Sequence, residues 1–261
     1  MYKCYRLECN DELKELINEY KEVGKKIMED KKESITRNLR EYLREDKLID
    51  FTKLQDDWFP TTDSDVFISH SHKDMEIVDG LAGWITEKFK VNVFVDSYIW
   101  NYCDDLLKEI DKEYCRHSNG TSYDYDKRNV STAHVHMMLS NALNKMIDRT
   151  ECVIFLESEN SLNIKNDIEV GTSSAWIYSE LITTSIISRR IPERLTKDNV
   201  EIRESFSKVF NSLSGVYRVS LEHLIPLSAN ELSCIAKADL RGEKQYLDRL
   251  YAKSTVEVIN E

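Results

Sequence analysis

Glu180 is the acidic residue whose neighbours point most directly to chemistry. Ser173, Trp176 and Glu180 are spaced i, i+3, i+7, so on a helix they share one face. Ser174 and Tyr178 flank them. A carboxylate beside a large aromatic ring is a poor choice for simple stability. In a dry pocket it is well suited to stabilising positive charge. The same spacing fits an ordinary surface glutamate on an amphipathic helix, so spacing leaves both readings open. Two other polar segments directly follow apolar runs: Ser69-His70-Ser71-His72-Lys73-Asp74 and Asp96-Ser97-Tyr98-Ile99-Trp100. In open parallel sheets, ligands bind outside the carboxyl ends of the strands. Both segments, and the one after Leu156 that leads to the Glu180 helix, are therefore candidate site linings.

Other chemistries find less support. His134 and His136 are two apart, which on a helix turns them to nearly opposite sides, so they do not readily share a metal. His70 and His72 read either as site-lining groups or as plain exposed histidines. No metal site and no bound cofactor is expected. The six cysteines, Cys4, Cys9, Cys103, Cys115, Cys152 and Cys234, form no C-x-x-C pair, which argues against zinc-ribbon and thioredoxin readings. Cys152 sits in an apolar run and reads as a small core hydrophobe. There is no G-x-S-x-G elbow, no P-loop and no G-x-G-x-x-G fingerprint, so hydrolase, NTPase and dehydrogenase readings lack their key loops.

The elements that must position these residues follow from periodicity. Asp65-Val66-Phe67-Ile68-Ser69 reads as a buried strand and Asp74 as the cap of the next helix. Ile77, Val78, Leu81, Trp84, Ile85 and Phe89 form one helical stripe. Val91–Val95 is a second β-branched run. Strand, helix and strand in this order make a βαβ unit and a parallel sheet. A short helix is expected over 104–113, a polar loop over 116–131, and a helix from Ser131 or Thr132. Cys152–Leu156 is a third strand, and 157–171 reads as polar connection. Ser173 is expected to cap a helix running to about Ser188. A last strand lies within Tyr217–Leu227, and Ser228-Ala229-Asn230-Glu231 is a capping box. Gly242 is expected to separate the helix it opens from a final one, about 243–253. In the first 62 residues, 28 are charged. There Leu13, Leu16, Ile17, Tyr20 and Val23, then Ile35, Leu39, Tyr42 and Leu43, suggest two amphipathic helices. Residues 58–63 read as the linker. The expected organisation is a helical extension over 1–62, an α/β domain over 63–226 and C-terminal helices over 227–261.

Composition narrows the class. The chain has 261 residues, 41% apolar and 32% charged, with seven Gly and three Pro, which argues against a loop-rich all-β protein. A net charge of −11 disfavours nucleic-acid binding. No run approaches a membrane span and no signal-peptide core is visible. The chain is expected to be soluble and cytoplasmic.

From Asp65 onward the sequence resembles the Toll/interleukin-1 receptor (TIR) domain family. Asp65-Val66-Phe67-Ile68-Ser69-His70-Ser71-His72-Lys73-Asp74 is similar to the family's first box. Ser173-Ser174-Ala175-Trp176-Ile177-Tyr178-Ser179-Glu180-Leu181 is similar to the Ser-x-Trp-x-x-x-Glu-Leu pattern of its third core helix. The order of strands and helices between them also agrees, and the resemblance covers about residues 63–226. It looks closest to bacterial TIR proteins of anti-phage defence, including the Thoeris type. The resemblance implies a flavodoxin-like open parallel α/β sheet with helices on both faces. In the enzymatic members that glutamate is required for cleaving NAD, which by position is Glu180. The segments after the first two strands line the nucleotide site, which implies Ser69, His70, Asp96 and Trp100. Ser174 and Trp176 complete the expected substrate-binding set. Two departures stand out. The loop after the second strand has neither Pro nor Gly, although the family's second box often carries both. The segment 114–135 is longer than in a minimal domain, and reads as a lid or as a source of selectivity.

The resemblance implies an enzyme that breaks the nicotinamide–ribose bond of NAD, a substrate and not a resident cofactor. Its products would be ADP-ribose, cyclic ADP-ribose or a conjugate. It also implies homo-oligomers, through the TIR domain or the N-terminal helices, and a downstream effector that reads the nucleotide product. The principal alternative is a non-catalytic TIR adaptor; a third is a deoxyribosyltransferase-like enzyme acting on nucleosides.

Overall fold

The computed structural model describes residues 1–33, 49–59, 61–117, 122–165, 169–196, 217–240, 242 and 244–256. They divide into two compact units. One comprises Met1–Ile27, Asp63–Val95 and Ile147–Glu261; the other comprises Met28–Thr62 and Asp96–Met146.

The first unit is built on a five-stranded parallel sheet flanked by helices, an open α/β architecture of the flavodoxin-like kind. Its strands are β1 (Lys3–Glu8), β2 (Val66–Ser69), β3 (Val93–Val95), β4 (Cys152–Glu157) and β8 (Ile225–Leu227), in the spatial order β3-β2-β4-β1-β8. The β-branched and aromatic runs at 66–69, 93–95 and 152–156 form strands because both faces are covered, which selects continuous apolar stretches. β2 and β3 are buried throughout. Cys152 is fully buried, and burial pushes its thiol well above the ordinary range, so it stays protonated and acts as a small core hydrophobe.

Strand β1 corrects the expectation of a wholly helical N-terminal extension. Lys3–Glu8 pairs with β4 along its whole length, Lys3 opposite Cys152 and Glu8 opposite Glu157, and with β8 on its other edge. Three of its six residues are charged, so it reads like the charged helices that follow. Partners far along the chain accommodate two of those charges. Lys3 Nζ donates to the Tyr251 carbonyl at 2.8 Å, and Arg6 pairs with Glu157 at 3.1 Å. In the flavodoxin-like strand order 2-1-3-4-5, β3, β2, β4 and β8 hold the positions 2, 1, 3 and 5. The fourth position is occupied by the start of the chain.

Helices α1 (Asp11–Ile17) and α2 (Lys21–Glu33) follow β1, and α4 (Met75–Phe89) links β2 to β3. Asn10 caps α1. The path through α1 and the start of α2 runs unusually close to α4. A Cβ on Gly24 would lie 1.8 Å from the Asp79 carbonyl oxygen, and one on Gly83 2.4 Å from that of Tyr20. Only hydrogen fits there. The expected second N-terminal helix, around Ile35, Leu39, Tyr42 and Leu43, lies outside the described residues, as does Pro60 of the expected linker.

The segment expected as plain connection over 157–171 contains strands β5 (Asn163–Lys165) and β6 (Glu169–Thr172). With β7 (Tyr217–Arg218) they form a small antiparallel sheet. The last-strand region therefore holds two strands, β7 and β8. Helix α7 (Ala175–Ile186) is capped by Ser174 rather than Ser173. The Ser228–Glu231 capping box opens α8 (Ala229–Ala236) as expected. The final helix, α9, is Gln245–Val256.

Among the described residues the second unit is mainly helical. It holds the end of α2, α3 (Phe51–Trp58), α5 (Ser97–Tyr114) and α6 (Tyr125–Arg149) up to Met146. Two expectations change here. The residues after β3 enter α5 at once instead of forming a loop before a helix at 104. Helix α6 starts at Tyr125, six residues ahead of Ser131. Its added first turns are tied down: Arg128 Nε and the Ser131 hydroxyl each reach Asp111 of α5 at 2.8 Å. The apolar stripe Val135, Met138, Leu139, Ala142, Leu143 and Met146 is buried as expected. His134 stacks on Phe51, centroids 4.6 Å apart and rings within 9°.

Candidate functional site

Two of the expected residues meet at the carboxyl end of β2. The Ser69 hydroxyl donates to Glu180 Oε2 at 2.6 Å, across 111 residues of sequence. Ser69 is the last residue of β2 and lies opposite Phe155 of β4. Glu180 is on the inner face of α7 with Ile177, Leu181 and Thr184. Both partners are 2% exposed. A buried acidic group is expensive unless it is hydrogen-bonded, and the Ser69 hydroxyl supplies such a bond. The glutamate is thus held in place, not trailing in solvent.

Local structure explains why α7 presents Glu180 inward. The Ser174 side chain accepts from the Ile177 amide, and Thr172 Oγ1 accepts from the Ser174 amide. These bonds set the helix start and hence the phase of every side chain after it. One turn beyond Glu180, Thr184 Oγ1 donates to the Leu181 carbonyl at 2.9 Å and lies 3.0 Å from His223 Nε2. Burial, then nearby Arg189, lowers the His223 pKa to about 4. At neutral pH the ring is uncharged, and its Nε2–H is the donor that Thr184 can still accept. Among the described residues α7 is therefore tied at both ends, with Glu180 between the ties.

The other expected residues fall as follows. His70 directly follows Ser69 and is 3% exposed, with Nδ1 at 3.3 Å from the Ile68 carbonyl. A carbonyl only accepts, so in this bond Nδ1 carries the proton. Trp176 is half-buried on α7. Asp96 and Trp100 belong to the second unit. Asp96 is buried at the start of α5, directly after Val95, which pairs with Ile68. Trp100 is in the same helix, and its side chain lies outside the described residues.

Asp74 departs from its expected role. It occupies the cap position of α4, yet its side chain makes no capping bond. Instead Ser158 Oγ donates to Asp74 Oδ2 at 2.5 Å and Asn160 Nδ2 to Oδ1 at 2.6 Å. The segment after Leu156 is an expected site lining, but its partnership with Asp74 spans more than 80 residues and leaves no periodic trace.

An open groove of about 730 Å³ lies elsewhere on this unit, lined by Lys14, Tyr20, Trp84, Lys88 and Lys237 among others; none of these is an expected site residue. Among the described residues no group of three or more His, Cys, Asp or Glu is placed to hold a metal ion, and no helix is long and apolar enough to cross a membrane. Comparison with protein-family models, with curated proteins and with solved structures returned no match.

Proposed function

We propose that this protein cleaves the nicotinamide–ribose bond of NAD with Glu180 as the catalytic carboxylate, in the manner of enzymatic TIR domains. The observation that carries the reading is the Ser69–Glu180 pair, a buried acidic side chain oriented by a hydroxyl at the carboxyl end of β2. In NAD the nicotinamide is a pyridinium and leaves as the neutral base, taking the electron pair of the glycosidic bond. Positive charge then builds on the ribose as an oxocarbenium ion. A fixed carboxylate stabilises that charge and accepts hydrogen bonds from the ribose hydroxyls. Water as acceptor gives ADP-ribose and releases a proton; the adenine ring of the same molecule gives a cyclic isomer. In this reading the product is a nucleotide signal of cytoplasmic anti-phage defence, and His70, Ser174 and Trp176 are the remaining groups of the first unit that would line the nucleotide.

The test is incubation of purified protein with NAD at high enzyme concentration. Nicotinamide is followed by chromatography and the second product by mass spectrometry, beside Glu180→Ala. Release by the unaltered protein and none by the variant is expected. No release from NAD by the unaltered protein, and none by a variant in which access to Glu180 is opened, would sink the reading and favour a docking module. Equal release by Glu180→Ala would remove that residue from the mechanism.

A further inference from the structure

The crevice that open α/β sheets use for ligands lies at the switch point, where neighbouring strands send their connections in opposite directions. Here that point is between β2, whose connection leads to the β3 edge, and β4, whose connection leads toward β8. Three hydrogen-bonding side chains span it. Asp74, in the turn after β2, takes bonds from Ser158 and Asn160, in the turn after β4. Asp74 is 5% exposed. The far side is itself a folded turn: Ser158 Oγ accepts from the Asn160 and Ser161 amides, and Ser161 Oγ donates to the Ser158 carbonyl. Ser69, five residues before Asp74, is the last residue of β2 and lies opposite Phe155, three residues before Ser158; its hydroxyl holds the buried Glu180 of α7.

We infer that Asp74, Ser158 and Asn160 form a clasp that closes the switch-point crevice and keeps solvent and ligand from Glu180 until it opens. The two short bonds end on one carboxylate, so removing that carboxylate, or both donors, releases both turns together. Asp74 is then a gating residue, with no contact to a reacting atom. The effect on turnover rests on the NAD-cleaving reading; the effect on access to Glu180 does not.

The experiment measures access directly. The full chain, the Asp74→Ala variant and the Ser158→Ala/Asn160→Ala double variant are treated with a water-soluble carbodiimide and glycinamide. Amidation at Glu180 is timed by peptide mass spectrometry, with exposed Glu15 as the reagent standard. Glu151, at the opposite end of β4, reports general unfolding. Expected is about tenfold faster labelling of Glu180 in both variants, a local opening free-energy change of about 1.4 kcal/mol, with Glu15 and Glu151 unchanged. Asn160→Ala alone, at an exposed position where loss of the fold is not expected, should move the rate in the same direction by less. Unchanged labelling of Glu180 in all three overturns the inference, and so does acceleration that Glu151 shares. Faster labelling with higher nicotinamide release supports both the clasp and the NAD reading. Faster labelling while neither protein nor variant releases nicotinamide leaves the clasp standing and removes the NAD reading. Faster labelling with lower turnover than the unaltered protein overturns the gate, because the clasp would then belong to the working site.

Discussion

Glu151 and Glu180, near opposite ends of the parallel sheet, are held by different kinds of partner. At the amino end, Glu151 precedes β4 and is engaged by Arg194 through both carboxylate oxygens, and by the Tyr251 hydroxyl at 2.9 Å. Arg194 also binds Asp248 at 2.7 Å, and Lys244 binds Asp65 at 2.6 Å. The bond to Glu151, outweighing burial, holds the Arg194 guanidinium above its already high range. At the carboxyl end, Glu180 takes its 2.6 Å bond from the neutral hydroxyl of Ser69. A guanidinium pairs its charge with a carboxylate's and ties it into the fold; the Ser69 hydroxyl fixes the direction in which Glu180 points. The amino end is organised as a structural joint. At the carboxyl end Glu157 pairs with Arg6, but Glu180 and Asp74 take hydrogen bonds from neutral hydroxyl and amide groups.

That contrast can be broken at four points. Glu180→Gln keeps shape and size but removes the acid; nicotinamide release should fall by about a hundredfold or more, while urea unfolding shows no loss of stability. A large stability loss with activity retained would put Glu180 in the class of Glu151. Arg194→Ala should do the reverse. It leaves Glu151 without its guanidinium, and because the Arg194 side chain is 29% exposed the cost is discounted to about 2 kcal/mol. Activity per folded molecule should be unchanged, and calorimetry should show the lowered melting temperature. Ser69→Ala removes the orienting hydroxyl, and kcat should drop about tenfold, equivalent to about 1.4 kcal/mol, more than KM changes. A change in KM alone would make Ser69 a binding group rather than an orienting one. The smallest effect is at His223. Its folded pKa of about 4 lies below its ordinary 6.5, so between those values the unfolded chain binds the extra proton. Stability should therefore fall as pH drops from about 6.5 toward 4, and His223→Gln should flatten that slope in denaturant titrations. An identical slope in the variant would assign it to other groups.

Much of the α/β framework was legible because it is local. Strands β2, β3 and β4 and the helix stripes of α4 and α6 are continuous runs or fixed periods, and such patterns need no knowledge of distant partners. The Ser228–Glu231 capping box was legible for the same reason. Ser174, rather than Ser173, was the kind of one-residue ambiguity that adjacent candidate caps leave open. Strand β1 was hidden because Lys3, Arg6 and Glu8 give it the look of a charged helix, and only pairing with β4 and β8 makes those residues a strand.

By itself the sequence determined the repertoire: buried β-branched strands, amphipathic helices, and a helix carrying Glu180 with Trp176 on one face. Those features are set by side-chain spacing over a few turns. Only the tertiary structure decided that Ser69 reaches Glu180, that Asp74 leaves its cap to bind Ser158 and Asn160, and that the chain's first strand sits inside the sheet. Each joins residues more than 80 positions apart, and hydrogen bonding and burial at that range depend on how the chain closes on itself, which no local pattern records.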